Sequence, residues 1–168
     1  MAEGIVFQGL EAYKKKLEAM KVRAGPGMRA YLNTTVYRQI QNIQMQRWVS
    51  EGGSEGQSWK PLNPRYAEWK TKKYADSPGS GKKMLIATGQ LASGVIGPVD
   101  GGDALGLRGP YRSHLKVVSE KEIFVGVNGS LVQYAYDVNQ ERNFSKISAQ
   151  SKQWIFDGIR SFVLRGQQ

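Results

Sequence analysis

The chain has 168 residues and no cysteine. That length suits one domain with a real core, and the missing thiols exclude disulfides, thiol nucleophiles and cysteine-based metal sites together. Twenty-four Lys/Arg against fourteen Asp/Glu give a net charge of +10, with thirteen of the basic and six of the acidic residues lying before residue 76; this suits plain solubility or steering toward nucleic acid or an acidic protein surface. No apolar run reaches the ~18–20 residues of a membrane span, and the first residues, MAEGIVFQGLEAYKKK, lack the pattern of a secretory signal.

In chain order, Phe7, Leu10, Tyr13 or Lys14, Leu17 and Met20 recur every three to four residues and predict an amphipathic helix over 6–23. Gly25-Pro26-Gly27 ends it. A second helix is predicted over 28–50. Its inward stripe is Met28, Tyr31 or Leu32, Thr35, Val36, Ile40, Ile43 and Arg47 or Trp48; its outward face is Arg29, Asn33, Arg38, Gln41, Gln44 and Arg47. Arg47 sits on the border, free to snorkel. Leu10/Leu17/Met20 facing Val36/Ile40/Ile43 would make a helical hairpin.

Residues 51–58, EGGSEGQS, read as a flexible loop. Asn63-Pro64 starts a short helix over about 64–74, with Asn as cap and Pro in the first turn. Residues 76–82 form a further loop, and Met84-Leu85-Ile86 a short helical turn leading to Thr88-Gly89. Leu91 to Val99 read as a turn of helix and then a strand; Asp100–Asp103 is a turn, and Leu105 to Pro110 a weak strand or excursion. His114–Val118 and Glu122–Val127 alternate, with Leu115/Val117 and Ile123/Val125/Val127 on one side and a hairpin turn at Ser119-Glu120-Lys121. Asn128-Gly129 signals a turn, Leu131–Tyr136 a strand, and 137–147 a loop. Trp154, Ile155, Phe156, Ile159, Phe162 and Val163 predict a last helix, capped by Ser148 or Ser151 and ended by Gly166. The fold class is therefore α+β: an N-terminal helical hairpin packed on a small antiparallel sheet of three to five strands, with a C-terminal helix. A single domain spans 1–168: helical hairpin 1–50, aromatic and basic connecting segment 51–94, β region 95–136, and loop with C-terminal helix 137–168.

The catalytic inventory is thin. His114 is the lone histidine, with no carboxylates at ligand-like spacing, and reads as a surface or interface side chain. Glu68 and Asp76 form an acid pair of the kind glycosidases use, within reach of Lys70, Lys72 and Lys73. Gly79-Ser80-Gly81-Lys82-Lys83 lacks the spacing and hydroxyl of a phosphate loop. No serine stands in a nucleophile elbow. These residues give no catalytic site, no metal site and no cofactor. Around the middle of the chain, Lys60, Arg65, Lys70, Lys72, Lys73, Lys82 and Lys83 interleave with Trp59, Tyr66, Trp69 and Tyr74. That mixture suits base stacking with phosphate neutralisation, or aromatic anchors with a cationic partner surface.

The order Trp59, Leu62, Pro64, Lys70 or Lys72, Leu85, Thr88, Gly89, Leu91, Ser93, then Val125-Gly126 and Tyr134-Ala135, resembles the virion-morphogenesis or tail-completion proteins of Mu-like contractile-tailed bacteriophages. The resemblance covers about two-thirds of the chain, with one tight block from Trp59 to Ser93; past Ala135 the family's Phe-Gly-like and Pro-Ala-Arg-rich segments are replaced by Tyr136–Asn139 and Phe144–Lys146. It implies a non-enzymatic virion protein: a ring, a hexamer by the tail's symmetry, that completes or caps the head-proximal tail end (tail terminator or neck) and joins it to the head. Its partners would be further copies, tail tube, sheath and neck or connector proteins, with genomic DNA passing the lumen unspecifically and no membrane. Its place would be the virion neck, and the host cytoplasm during assembly. Trp59, Leu62, Pro64, Tyr66, Trp69, Leu85, Thr88, Gly89, Leu91 and Ser93 would organise the joint. Lys70, Lys72, Lys73, Lys82 and Lys83 are the candidate lumen or partner surface, and Phe144, Trp154 and Phe162 the candidate interface. The competing readings are a non-specific DNA-binding protein of phage DNA packaging and a small cell-wall hydrolase using Glu68 and Asp76.

Overall fold

The computed structural model describes residues 10–76, 81–86, 88–99, 105, 111, 113–128 and 130–166. Helix α1 is Leu10–Ala24, with Glu11 in its first turn and Lys21 and Arg23 in its last, each sign matched to the helix dipole. Gly25 breaks the chain, and Pro26 opens α2 (Pro26–Tyr31) from the first turn, where its missing N–H costs nothing. A π-helical turn, Leu32–Val36, then runs without interruption into α3 (Tyr37–Val49). Pro64–Lys73 forms α4, with Asn63 accepting a hydrogen bond from the Arg65 N–H at 3.0 Å. Gln90–Ile96 is α5, His114–Val118 β1, Ile123–Val127 β2, Ala135–Arg142 α6 and Ala149–Arg165 α7. The cap of α7 is Ser148, whose side chain accepts from the Ser151 N–H at 3.1 Å. The α+β architecture read from the sequence forms: N-terminal helices, a small antiparallel sheet and a C-terminal helix.

The π turn explains why the inside of the long helix differs from its predicted stripe. At 3.6 residues per turn each residue advances about 100°, so one extra residue in a turn sets the following face back by about that angle. Met28, Tyr31 and Leu32 lie inside before the turn. Beyond it the reset face brings Gln41, Gln44 and Arg47 inward beside Val36, Ile43 and Trp48. The expectation that Gln41 and Gln44 face solvent is corrected by this.

Two apolar clusters carry the packing. One gathers Trp48, Trp59, Ile86, Leu91, Ile96, Val132 and Phe144 around α3, α5 and the central segment. The other sets Met28, Tyr31, Leu32 and Val36 against Val118, Ile123, Ile155, Ile159, Phe162 and Val163. Phe162 stacks on Tyr31 with ring centres 4.1 Å apart and planes 8° off parallel. Helix α1 packs on α2 and α7, and Arg23 donates to the Val163 and Leu164 carbonyls at the end of α7. Tyr13 and Leu17 remain exposed, so Leu17 does not face Val36, Ile40 and Ile43.

The remaining differences lie in the second half. Two strands are present among the described residues, paired antiparallel with Leu115 opposite Gly126 and Val117 opposite Phe124. This register turns Leu115, Val117 and Phe124 outward, while Ile123, Val125 and Val127 share the half-buried face with His114, Lys116 and Val118. Leu115 and Val117 thus lie opposite the face expected for them. The stretch read as a strand after Leu91 continues as α5 to Ile96. Residues read as the strand Leu131–Tyr136 and the loop 137–147 form turns and α6. The predicted loop 51–58 is a tight turn containing a 3₁₀ segment, Gly53–Glu55. Residues 6–9 of the first predicted helix, and most of the turn and weak strand at 100–110, lie outside the described residues.

Candidate functional site

The central segment is anchored from below. Trp59 is buried edge-on against Trp48, with centroids 5.3 Å apart and planes at 83°, and its backbone N–H donates to the Glu51 carbonyl at 2.8 Å. Gly52 permits that approach: its φ is +91°, and a Cβ there would lie 2.0 Å from the Gln57 carbonyl oxygen and 2.8 Å from the indole. Phe144 closes the other side of Trp48 at 5.8 Å, and Phe162 lies in the second cluster. Both are packing residues, which corrects their assignment to an interface; Trp154 of that trio does stay exposed.

Above this floor, Leu62, Tyr66, Leu85, Thr88 and Leu91 converge on one cavity of about 570 Å³. Asn63, Lys70, Tyr74, Gln90, Tyr134, Val138 and Arg142 complete its wall. Five of the residues expected to organise the joint therefore share one space, although they come from the approach to α4, from α4, from α5 and from the turns between the two helices. Leu85 takes a left-handed φ of +60°, an uncommon backbone for a branched side chain. Thr88 Oγ1 accepts from the Gln90 N–H at 3.4 Å, and Gly89, at φ +82°, makes the turn into α5. Ser93 and Leu91 are buried beneath, and Pro64 is exposed in the first turn of α4. Burial pushes the Tyr134 phenol above its ordinary range, and Tyr74 adds to the shift. Tyr134 enters the sequence reading only through the Tyr134-Ala135 resemblance, within a predicted strand, and Val138 and Arg142 fall in a predicted loop. Their spacing of four residues was the signal of one helical face.

The lysines separate into two kinds. Lys70 is buried and donates to the carbonyls of Gly81, at 3.2 Å, and Lys83. Burial pushes its pKa down, opposed by the carboxylate of Glu51. It is a clamp between α4 and the 81–86 segment, and its assignment to an exposed surface is corrected. Lys83 donates to the Val49 carbonyl at the end of α3, at 2.9 Å. Lys72, Lys73 and Lys82 are exposed. Lys72 pairs with Glu68 at 2.8 Å, and the Lys73 ammonium lies 4.7 Å from the centre of the Trp69 ring. Tyr66 and Trp69 are both 46% exposed with centroids 5.4 Å apart, and Tyr74 meets Trp69 edge-on at 6.1 Å. The result is an exposed aromatic and cationic face on α4, beside the mouth of the cavity.

His114 is not a surface side chain. Its Nδ1 donates to the Gly94 carbonyl at 2.8 Å and its Nε2 accepts from the Tyr37 hydroxyl at 2.9 Å, roles assigned from those partners. Gln41 donates to the same hydroxyl and to the Ile96 and Pro98 carbonyls. Burial holds the imidazole below its ordinary pKa, the Gly94 bond opposes this, and Lys116 reinforces it. A second polar knot joins Arg47 to the Asn143 carbonyl at 2.6 Å and Glu55 to the start of α7. Burial pushes the Glu55 carboxyl up, but the Ser148 N–H, the Ser151 hydroxyl and Arg47 outweigh it and leave its pKa lowered.

Among the described residues no group of three His, Asp or Glu side chains is placed to hold a metal, and no helix is long and apolar enough to cross a membrane. Compared with known proteins, the chain matches no family model, no curated protein and no solved structure.

Proposed function

We propose that this chain is a structural subunit of a phage tail or neck, forming a ring that completes the head-proximal tail end and joins it to the head. The observation that carries the reading is the convergence of Leu62, Tyr66, Leu85, Thr88 and Leu91 on one cavity beside an exposed Tyr66–Trp69–Lys73 face. Aromatic side chains with a flanking cation are the usual anchors of protein contacts, since they bring large apolar area at little entropic cost. Trp69 is half exposed with no core to fill, as such an anchor would be in a free subunit. The ring makes heterologous contacts that close on rotation, with six copies matching the tail.

The test is mass measurement in solution with class averages of the particles, on the chain alone and with tails lacking it. Closed six-fold rings, formed alone or on the tail, and loss of assembly in Trp69→Ala without loss of folding are expected. A monomer under both conditions overturns the reading. Salt-dependent binding of free duplex by that monomer would instead favour the DNA-packaging alternative.

A further inference from the structure

A groove of about 470 Å³ runs beside β2, and every residue from Ile123 to Val127 lines it. Successive strand residues point to opposite faces, so a space touched by five in a row lies along the strand's edge. The ladder parity says what that edge carries. Asn128 N–H donates to the Ser113 carbonyl and Ser119 N–H to the Glu122 carbonyl. Hydrogen-bonded pairs alternate in an antiparallel ladder, so Leu115–Gly126 and Val117–Phe124 are also bonded pairs. Ile123, Val125 and Val127 therefore aim their N–H and C=O groups away from β1, into the groove. No third strand pairs with them among the described residues.

The opposite wall comes from α3, α6 and the turn after α6, through Ile40, Gln44, Tyr136, Phe144 and Ile147. No charged side chain lines the groove, although the chain carries +10. Gln44 is 4% exposed; its Nε2 donates to the Ser145 carbonyl at 3.3 Å, and its Oε1 is buried with no partner. An unpaired buried acceptor costs free energy that a ligand donor would recover.

We propose that this groove binds an extended, uncharged segment of a partner protein, which adds to β2 as a third strand. Alternating donors and acceptors at strand spacing select a polypeptide backbone, the apolar walls select β-branched or aromatic side chains, and the lack of cations disfavours nucleic acid. The segment pairs with Ile123, Val125 and Val127 and places a donor against Gln44 Oε1. The proposal is independent of the ring reading, because it is tested on the isolated full-length chain.

The probe is acetyl-Ser-Val-Thr-Val-Thr-Val-Ser-amide, followed by backbone NMR and amide hydrogen exchange. Binding is expected to slow exchange at Ile123, Val125 and Val127 by roughly tenfold or more and to leave Phe124, already in the ladder, little changed. Val125→Pro removes one groove-facing N–H without touching the β1 ladder, and is expected to weaken the peptide at least tenfold, while Val125→Thr retains it. The same peptide N-methylated at its valines keeps the side chains and is expected not to bind; this arm stands even where the proline variant does not fold. Equal binding of the N-methylated peptide, equal binding of a Lys/Glu-rich strand, or no change at those three amides overturns the proposal. Protection that instead rises with protein concentration alone, together with a doubled mass, assigns the edge to a second copy and likewise overturns it.

Discussion

Lys70 and His114 show what single residues contribute. Lys70 holds the Gly81 and Lys83 carbonyls, of which the Lys83 carbonyl also accepts from the Ile86 N–H at 3.4 Å. Lys70→Met keeps the stem's volume and strips the donor, so the stranded Gly81 carbonyl should cost about 1–3 kcal/mol, read as a lowered urea midpoint at unchanged slope. Lys72→Met, on the exposed face of the same helix, should change stability by less than about 0.5 kcal/mol. In the sequence these lysines belong to one basic run. What sorts them is the carbonyl of Gly81, eleven residues on, which no periodicity announces. His114 adds a pH dependence. Its folded pKa is held below the unfolded value near 6.5, so the unfolded chain binds the proton first as pH falls. Its contribution is complete above about pH 6.5 and is lost as pH drops toward the folded pKa. Urea midpoints from pH 7.5 to 5 should fall for the native chain, and His114→Gln should flatten that part of the curve.

At the scale of elements, the π turn is the feature that a constant period cannot reveal. Helix existence, the Asn63 and Ser148 caps and the end at Gly166 were legible because each rests on local chemistry. The inward placement of Gln41, Gln44 and Arg47 was not, because it depends on one extra residue in the turn Leu32–Val36. This gives a deletion test. Removing exposed Thr34 converts the π turn to an ordinary one and keeps the phase of α3, so the shortened chain should fold with a similar melting temperature. Removing Asn42, equally exposed but inside α3, turns the residues beyond it by about 100° and carries Trp48 out of the core. That variant should lose about 3 kcal/mol or more, or fail to fold. Equal effects of the two deletions would remove the phase argument. The strand errors have a related cause: Leu131–Tyr136 is apolar and aromatic enough for a strand, but Tyr134, Val138 and Arg142 use its end to begin a helical face on the central cavity.

Across the whole molecule, charge is unevenly placed. Lys72 and Lys73 share α4 with the exposed aromatic face and Lys82 is exposed in the segment after it, while no charged side chain lines the groove along β2. The two surfaces should then respond to different perturbations. Charges in solvent mainly steer encounter, and their effect fades with ionic strength. The triple variant Lys72→Glu, Lys73→Glu and Lys82→Glu changes the net charge from +10 to +4; all three side chains are exposed, so the fold should be kept, with a small loss of stability from the Lys72–Glu68 pair and the basic last turn of α4. If the α4 face meets an acidic surface of a tail or neck protein, the variant should associate roughly tenfold or more slowly at low salt and lose most of the salt dependence. The matching reversal at Lys14, Lys15 and Lys16 on exposed α1 makes the same change in net charge away from that face. Association rates measured for both variants between 50 and 500 mM salt separate a local partner surface from a general field. An equal slowing by both sets would mean that only the overall charge matters, and the assignment of the α4 face would fall.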